Sequence, residues 1–105
     1  RLSNTEGICL CSENPRVRSN YAYMPVVFDG YKKNRDQVFE ELARADIHAR
    51  KYFYPCINSY ACYRGLFDEK ETPVAARISR QVLTLPLYAE LDPEIVDRIC
   101  DLILV

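Results

Sequence analysis

Two dipeptides, Thr72-Pro73 and Asp92-Pro93, constrain most of the second half of this chain. In each, a residue suited to cap a helix precedes a proline. Proline fits the first helical position because the N–H it lacks has no helical partner there. Helices are therefore predicted from 73 to about 80 and from 93 to near the end of the chain. In the second helix Ile95, Val96, Ile99, Leu102 and Ile103 fall on one side, while Asp97, Arg98 and Asp101 face water. Between the two, residues 82–87 (Val-Leu-Thr-Leu-Pro-Leu) form an apolar run of strand length.

The first half has the same alternation of types. Residues 7–12 are short and apolar, and read as a strand. Glu13-Asn14-Pro15-Arg16 is turn chemistry. Residues 20–28 are rich in aromatic and β-branched side chains and give the strongest strand signal. Pro25 within them argues for an edge position or a bulge. Asp29-Gly30 ends that strand. Asn34 then caps a helix to about Ala45, with Val38, Leu42 and Ala45 on one stripe, Phe39 widening it, and Glu40, Glu41 and Arg44 in water. Residues 47–52 are predicted as a further strand, and 54–65 as a loop with a short helical turn near 60–64. The charge run Asp68-Glu69-Lys70-Glu71 is the candidate flexible stretch, most simply a solvated one.

The expected fold is α+β: a small, mostly antiparallel sheet with helices on one face. A length of 105 residues suits one domain spanning 1–105. Fourteen basic against fifteen acidic residues leave a net charge of −1, which gives no electrostatic footprint for nucleic acid or an anionic membrane. No apolar run is long enough to span a bilayer, and no signal peptide is expected. The opening Arg1-Leu2-Ser3 reads as a cut inside a longer chain. Five cysteines, no C-x-x-C pair and a single histidine argue against zinc. Reduced cysteines used as small apolar residues in a cytoplasmic protein are the simpler reading.

Chemistry is concentrated in residues 46–55, Asp-Ile-His-Ala-Arg-Lys-Tyr-Phe-Tyr-Pro. Cations and aromatics packed this densely just after a helix suggest a ligand-contacting edge. The Arg50 guanidinium offers a fork matched to carboxylate or phosphate, against the alternative of a surface ion pair with Asp46 or Glu41. In an extended segment Arg50, Tyr52 and Tyr54 would share one face, with Phe53 opposite. That face suits an anionic or sugar-like ligand, and equally an interface. Lys51 is a weaker candidate. His48 lacks a partner at a telling spacing and is better read as structural or exposed. No catalytic set is present: there is no Gly-rich phosphate loop, no G-x-S-x-G and no H-E-x-x-H. None of Lys32, Lys33, Lys51 and Lys70 has the buried surroundings that suit Schiff-base chemistry.

Three segments taken in order carry a family resemblance: residues 20–28, residues 46–55, and 81–88 followed by 92–99. Together they resemble the C-terminal domain of the DegT/DnrJ/StrS class of PLP-dependent nucleotide-sugar aminotransferases. The resemblance runs from about residue 7 to the end. Many relatives read Thr-Arg-Pro, an aromatic pair and Pro over the segment matching 49–55. Arg50, Phe53 and Pro55 keep that pattern, and Ala49 and Lys51 depart from it. Other relatives place a histidine where Tyr52 stands. The form Ala-Arg-Lys-Tyr-Phe-Tyr-Pro resembles members acting on dTDP-4-keto-6-deoxyhexoses.

The resemblance implies the small domain of a fold-type I aminotransferase whose large domain holds pyridoxal 5'-phosphate and its lysine. It implies a parent that moves an amino group, from glutamate, onto a nucleotide-linked keto sugar, as a cytoplasmic homodimer serving deoxysugar and O-antigen biosynthesis. Arg50, Lys51, Tyr52 and Tyr54 would be substrate-binding, and no catalytic, cofactor-binding or metal residue would lie in this chain. Alone it would be inactive. The rival readings are a non-enzymatic sugar-nucleotide or protein-binding module, and a redox or metal protein built on the cysteines.

Overall fold

The computed structural model describes residues 1–12 and 14–105, so Glu13 of the predicted turn lies outside the described residues. Three strands, β1 (Ile8–Leu10), β2 (Met24–Phe28) and β3 (Val82–Leu85), form one antiparallel sheet in the order β1-β2-β3. Three helices, α1 (Arg35–Arg44), α2 (Pro73–Gln81) and α3 (Pro93–Leu104), complete an α+β domain. The register pairs Ile8 with Phe28 and Leu10 with Val26, then Val26 with Leu83 and Met24 with Leu85. Side chains alternate along strands, so these residues share one face. That face packs with Val38 and Leu42 of α1 and Ile99, Cys100 and Ile103 of α3 in a single core. Ala76 of α2 is buried outside that cluster.

Helix boundaries follow the predicted caps with one exception. Asn34 Oδ1 accepts from the N–H groups of Asp36 (3.0 Å) and Gln37 (2.9 Å), and Gln37 Oε1 accepts from Asn34 N–H (2.8 Å). This reciprocal pairing closes the start of α1. Asp92 Oδ1 accepts from Glu94 N–H at 2.9 Å and opens α3. Thr72 makes no side-chain cap. Its hydroxyl accepts instead from Asn58 Nδ2 at 3.2 Å, tying the long loop to the start of α2. The charge run at 68–71 is a 3-10 turn, Glu69–Glu71, capped by Asp68. A second 3-10 turn at Ala61–Tyr63 lies where the short helical turn was expected.

Pro25 is not on an edge strand, because β2 is the middle strand. Its tolerance there follows from the register. Pro25 faces Thr84, whose N–H and C=O both bond Arg50 on the far side, at 2.8 and 2.9 Å. Antiparallel pairs alternate between bonded and non-bonded, so Pro25 and Thr84 are a non-bonded pair. The Pro25 nitrogen therefore points toward β1, which has already ended at the Leu10–Val26 pair. No ladder bond is lost to the missing N–H.

The strand predicted at 47–52 is reduced to one bridge, Arg50 with Thr84. Both of its ends are used by other structure. Ile47 N–H still bonds Leu42 C=O of α1 at 2.9 Å, and Tyr54 N–H bonds Lys51 C=O at 3.0 Å across a turn. Only the residues between them can lie beside β3. Ile47 and Ala49 point into the core, leaving His48 and Arg50 outward.

The cysteines also divide. Cys100 is buried in the core, whereas Cys9, Cys11 and Cys62 are exposed and Cys56 is half-buried. Only Cys100 therefore acts as the small apolar residue expected of all five. Among the described residues no helix is long and apolar enough to cross a membrane.

Candidate functional site

The register that builds the sheet also builds a cleft at one end of it. Met24 opposite Leu85 sets Ala22 and Tyr23, which lead into β2, beside Pro86, Leu87 and Tyr88, which follow β3. The Arg50–Thr84 bridge closes the other side and brings His48, Arg50 and Tyr52 to the same opening. The cleft encloses about 430 Å³. Its lining joins the His48 imidazole, the Arg50 guanidinium and the Tyr23, Tyr52 and Tyr88 phenols to the Leu85-Pro86-Leu87 run.

Arg50 is the strongest charge in this cleft. Its guanidinium donates to the Tyr52 hydroxyl and lies 5.6 Å from the Tyr52 ring centroid. The hydrogen bond to Tyr52 pushes its pKa further up, with the Tyr52 and Tyr23 hydroxyls adding to the effect. The guanidinium is thus held as a cation. The ion pairs weighed against a ligand role are not formed: Asp46 contacts His48 at 3.1 Å, and Glu41 binds Lys33 at 2.6 Å. Among the described residues no carboxylate lines the cleft. Tyr52 is itself braced, edge-on to Tyr23 at 5.7 Å and stacked with Phe53 at 5.1 Å. A cation with no carboxylate partner among the described residues, set among phenol faces, is arranged to receive an anion or a hydroxyl-rich ring.

The structure separates the four residues singled out from sequence. Arg50 and Tyr52 line the cleft. Lys51 and Tyr54 turn toward α1. The Lys51 ammonium binds Asp36 and sits 4.4 Å from the centroid of the Phe39 ring. Tyr54 lies against the guanidinium of Arg35, 4.6 Å from its ring centroid. The expectation that Arg50, Tyr52 and Tyr54 share one face is therefore corrected. The extended run ends in the turn at Tyr52–Phe53, which carries a cis peptide bond between those two residues, followed by another at Tyr54-Pro55. Alternation does not continue through a turn.

Arg35 went unnoticed in the sequence beyond its place at the start of α1, yet it is only 2% exposed. One Nη donates to the carbonyls of Ser79 (3.2 Å) and Val82 (3.4 Å), joining α1 to the α2–β3 junction. Its Nε lies 2.8 Å from Asp36 Oδ1, outside hydrogen-bond geometry. Asp36 thus stands between two cations. Its carboxyl is held below its usual range, chiefly by the hydrogen bond from Lys51, with the Arg35 charge assisting and partial burial opposing. A carboxyl lowered on folding adds stability above its unfolded pKa of about 3.9, and that stability is lost as pH falls through the folded value. Asp36→Asn should therefore lower stability modestly in urea denaturation at neutral pH. The gap to the parent should close toward about pH 2. An equal gap at both pH values would show that the loss is one of packing and not of charge.

Tyr23, Tyr88 and His48 are the titratable cleft residues that lie outside the site expected from sequence. Tyr23 and Tyr88 are each 60% exposed. The signal available for them was composition: eight tyrosines without a tryptophan favour rings whose polar tip stays wet. A second exposed apolar surface lies along the loop, where Phe53, Ile57, Leu66 and Phe67 are all more than half exposed.

No lysine lines the cleft. Lys33 binds Glu41, Lys51 binds Asp36, and Lys32 donates to carbonyls at the end of α3. The described residues therefore do not fit a Schiff-base site for PLP.

The profile of the DegT/DnrJ/EryC1/StrS aminotransferase family matches residues 1–104. A dTDP-4-amino-4,6-dideoxy-D-glucose transaminase from Escherichia coli is 41% identical over 106 residues, covering 98% of this chain and 29% of that enzyme. A transaminase of the same name from Shigella dysenteriae is 31% identical, covering 94% of this chain and 27% of the relative. This chain thus spans less than a third of the length of the curated relatives it matches. DesI, solved in the presence of its TDP-sugar product, superposes with a TM-score of 0.81 at 26% identity, over 96% of this chain and 26% of DesI. A Bacillus cereus protein assigned to the PLP-dependent aminotransferases superposes over 77% of this chain and 22% of its own, with a TM-score of 0.63 at 28% identity. The chain belongs to the DegT/DnrJ/EryC1/StrS aminotransferase family.

Proposed function

We propose that this chain is the C-terminal small domain of a PLP-dependent aminotransferase acting on a dTDP-linked keto-deoxy sugar, with glutamate as amino donor. The observation that carries the reading is a cleft lined by Arg50, Tyr52, Tyr23 and Tyr88, and by no carboxylate among the described residues, in a chain 41% identical to a dTDP-sugar transaminase. PLP supplies the electron sink for amino transfer when bound. Its lysine and most of its contacts are assigned to the part of the relatives that this chain does not span. The contribution of this chain is recognition. Arg50 binds an anionic group of the substrate, Tyr52 holds the Arg50 fork and offers its ring, and Tyr23 and Tyr88 cover the apolar face of a sugar or base. Lys51 and Tyr54, held against α1, support the segment from behind. The exposed loop aromatics fit a surface covered in the full enzyme, which we read as a cytoplasmic homodimer.

The chain alone should be inactive. Incubated with PLP, glutamate and a dTDP-keto sugar, it should release no 2-oxoglutarate above the free-PLP background. The complete polypeptide carrying this segment should turn over. Turnover by the 105-residue chain would overturn the assignment, and so would a complete polypeptide inert toward dTDP-keto sugars.

A further inference from the structure

We infer that His48 is a second anion contact of the cleft, acting with Arg50 on the diphosphate of the nucleotide-linked sugar and strengthening on protonation. The inference rests on the proposed function, which supplies the ligand class. Its physical basis is the local alternation of the chain. Ile47 and Ala49 are taken by the core, so the side it does not use presents His48 and Arg50 together, both lining the cleft. Alternate residues of an extended chain lie about 6–7 Å apart, within reach of one diphosphate for side chains of this length.

The ring is also oriented. His48 Nε2 lies 3.1 Å from Asp46 Oδ1, in the backbone turn that Asp46 makes with φ +61°. With Nε2–H donated to Asp46, Nδ1 is the nitrogen left for a ligand. Once protonated, Nδ1–H can donate to a phosphate oxygen. The charged and titratable groups around the imidazole are few. Asp46 and Arg50 are on its own segment, and Tyr23, Tyr52 and Tyr88 line the same cleft. Among the described residues Asp46 is the one carboxylate in contact, and its side chain is 96% exposed, so water screens its hold on the ring. A diphosphate seated beside Arg50 would be the stronger partner. The sign follows from linkage: an anion that favours the protonated ring must itself bind more tightly when the ring is protonated. Affinity should therefore rise as pH falls.

His48 is the only histidine in the chain, so its ring proton signals in NMR are unambiguous. The test titrates the chain with dTDP-glucose, whose two phosphates keep constant charge over this pH range, while following the His48 ring and the backbone signals of Arg50 and Tyr52. The titration midpoint of His48 should move up in the presence of the nucleotide. The Kd should tighten by about threefold or more from about pH 8 to about pH 5.5. His48→Gln, at an exposed position, should remove that pH dependence and bind at low pH as weakly as the parent does at high pH. A His48 ring indifferent to nucleotide while Arg50 and Tyr52 respond would overturn this inference and leave the cleft assignment standing. If none of the three responds at millimolar nucleotide, the cleft is not the ligand site and both readings fall.

Discussion

Arg50→Ala in the complete enzyme should lower kcat/KM by roughly thirtyfold or more. In this chain the guanidinium faces open solvent, but a bound substrate and the covering domain would desolvate it. Losing one partner of a desolvated charge pair then leaves the other without compensation. Arg50→Lys should recover part of the loss, since it restores the charge without the planar fork that Tyr52 now holds. The cofactor absorbance should persist in both variants, because no lysine of this chain faces the cleft. The split between constants is informative. A rise in KM alone would mean that Arg50 grips a part of the substrate that does not change during reaction, such as its diphosphate. A fall in kcat would mean that it acts on a group whose charge develops. An Arg50→Ala enzyme within about threefold of the parent would remove Arg50 from the site.

What was legible in the sequence was whatever depends on neighbours along the chain. The Asn34 and Asp92 caps, the α1 stripe and the apolar run of β3 are local signals, and each element formed. Thr72-Pro73 placed the start of α2 correctly although Thr72 does not cap, because proline at N1 suffices to fix the helical φ. Register was not legible. Pro25 reads as an edge or bulge residue when its missing N–H is weighed without knowing which side of the strand that nitrogen faces. The candidate site was half legible for the same reason. Arg50 and Tyr52 line one cleft as alternation predicts, whereas Tyr54 does not join them, because the extended run ends in a turn before it. Tyr23 and Tyr88 lie 65 residues apart in sequence, counting from 23 to 88. Only the pairing of Met24 with Leu85 brings them to one cleft.

Gly7→Ala should be among the most destabilising single substitutions in the domain. Gly7 has φ +78°, a region that costs an L-residue roughly 1–2 kcal/mol. A Cβ there would also fall 2.2 Å from the backbone nitrogen of Tyr31 and 2.5 Å from the carbonyl carbon of Gly30. Backbone cannot swing aside as a side chain would, so the segments must separate, at about 1–3 kcal/mol more. These are the segments that fix the sheet. Gly7 C=O accepts from Asp29 N–H at 2.9 Å, and the Ile8–Phe28 pair follows directly. A combined loss of about 2–5 kcal/mol is a large part of the stability of a small domain. It should lower Tm by roughly 8–40 °C at about 4–8 °C per kcal/mol. Gly30→Ala separates the two contributions. Its φ of +81° imposes a similar backbone cost, but a Cβ there meets nothing within 4 Å. Gly30→Ala should therefore lose only the roughly 1–2 kcal/mol of conformational strain. Thermal or urea denaturation of both variants decides the matter. If Gly7→Ala proves no worse than Gly30→Ala, the close approach of the β1 lead-in to Tyr31 is not a constraint on the fold.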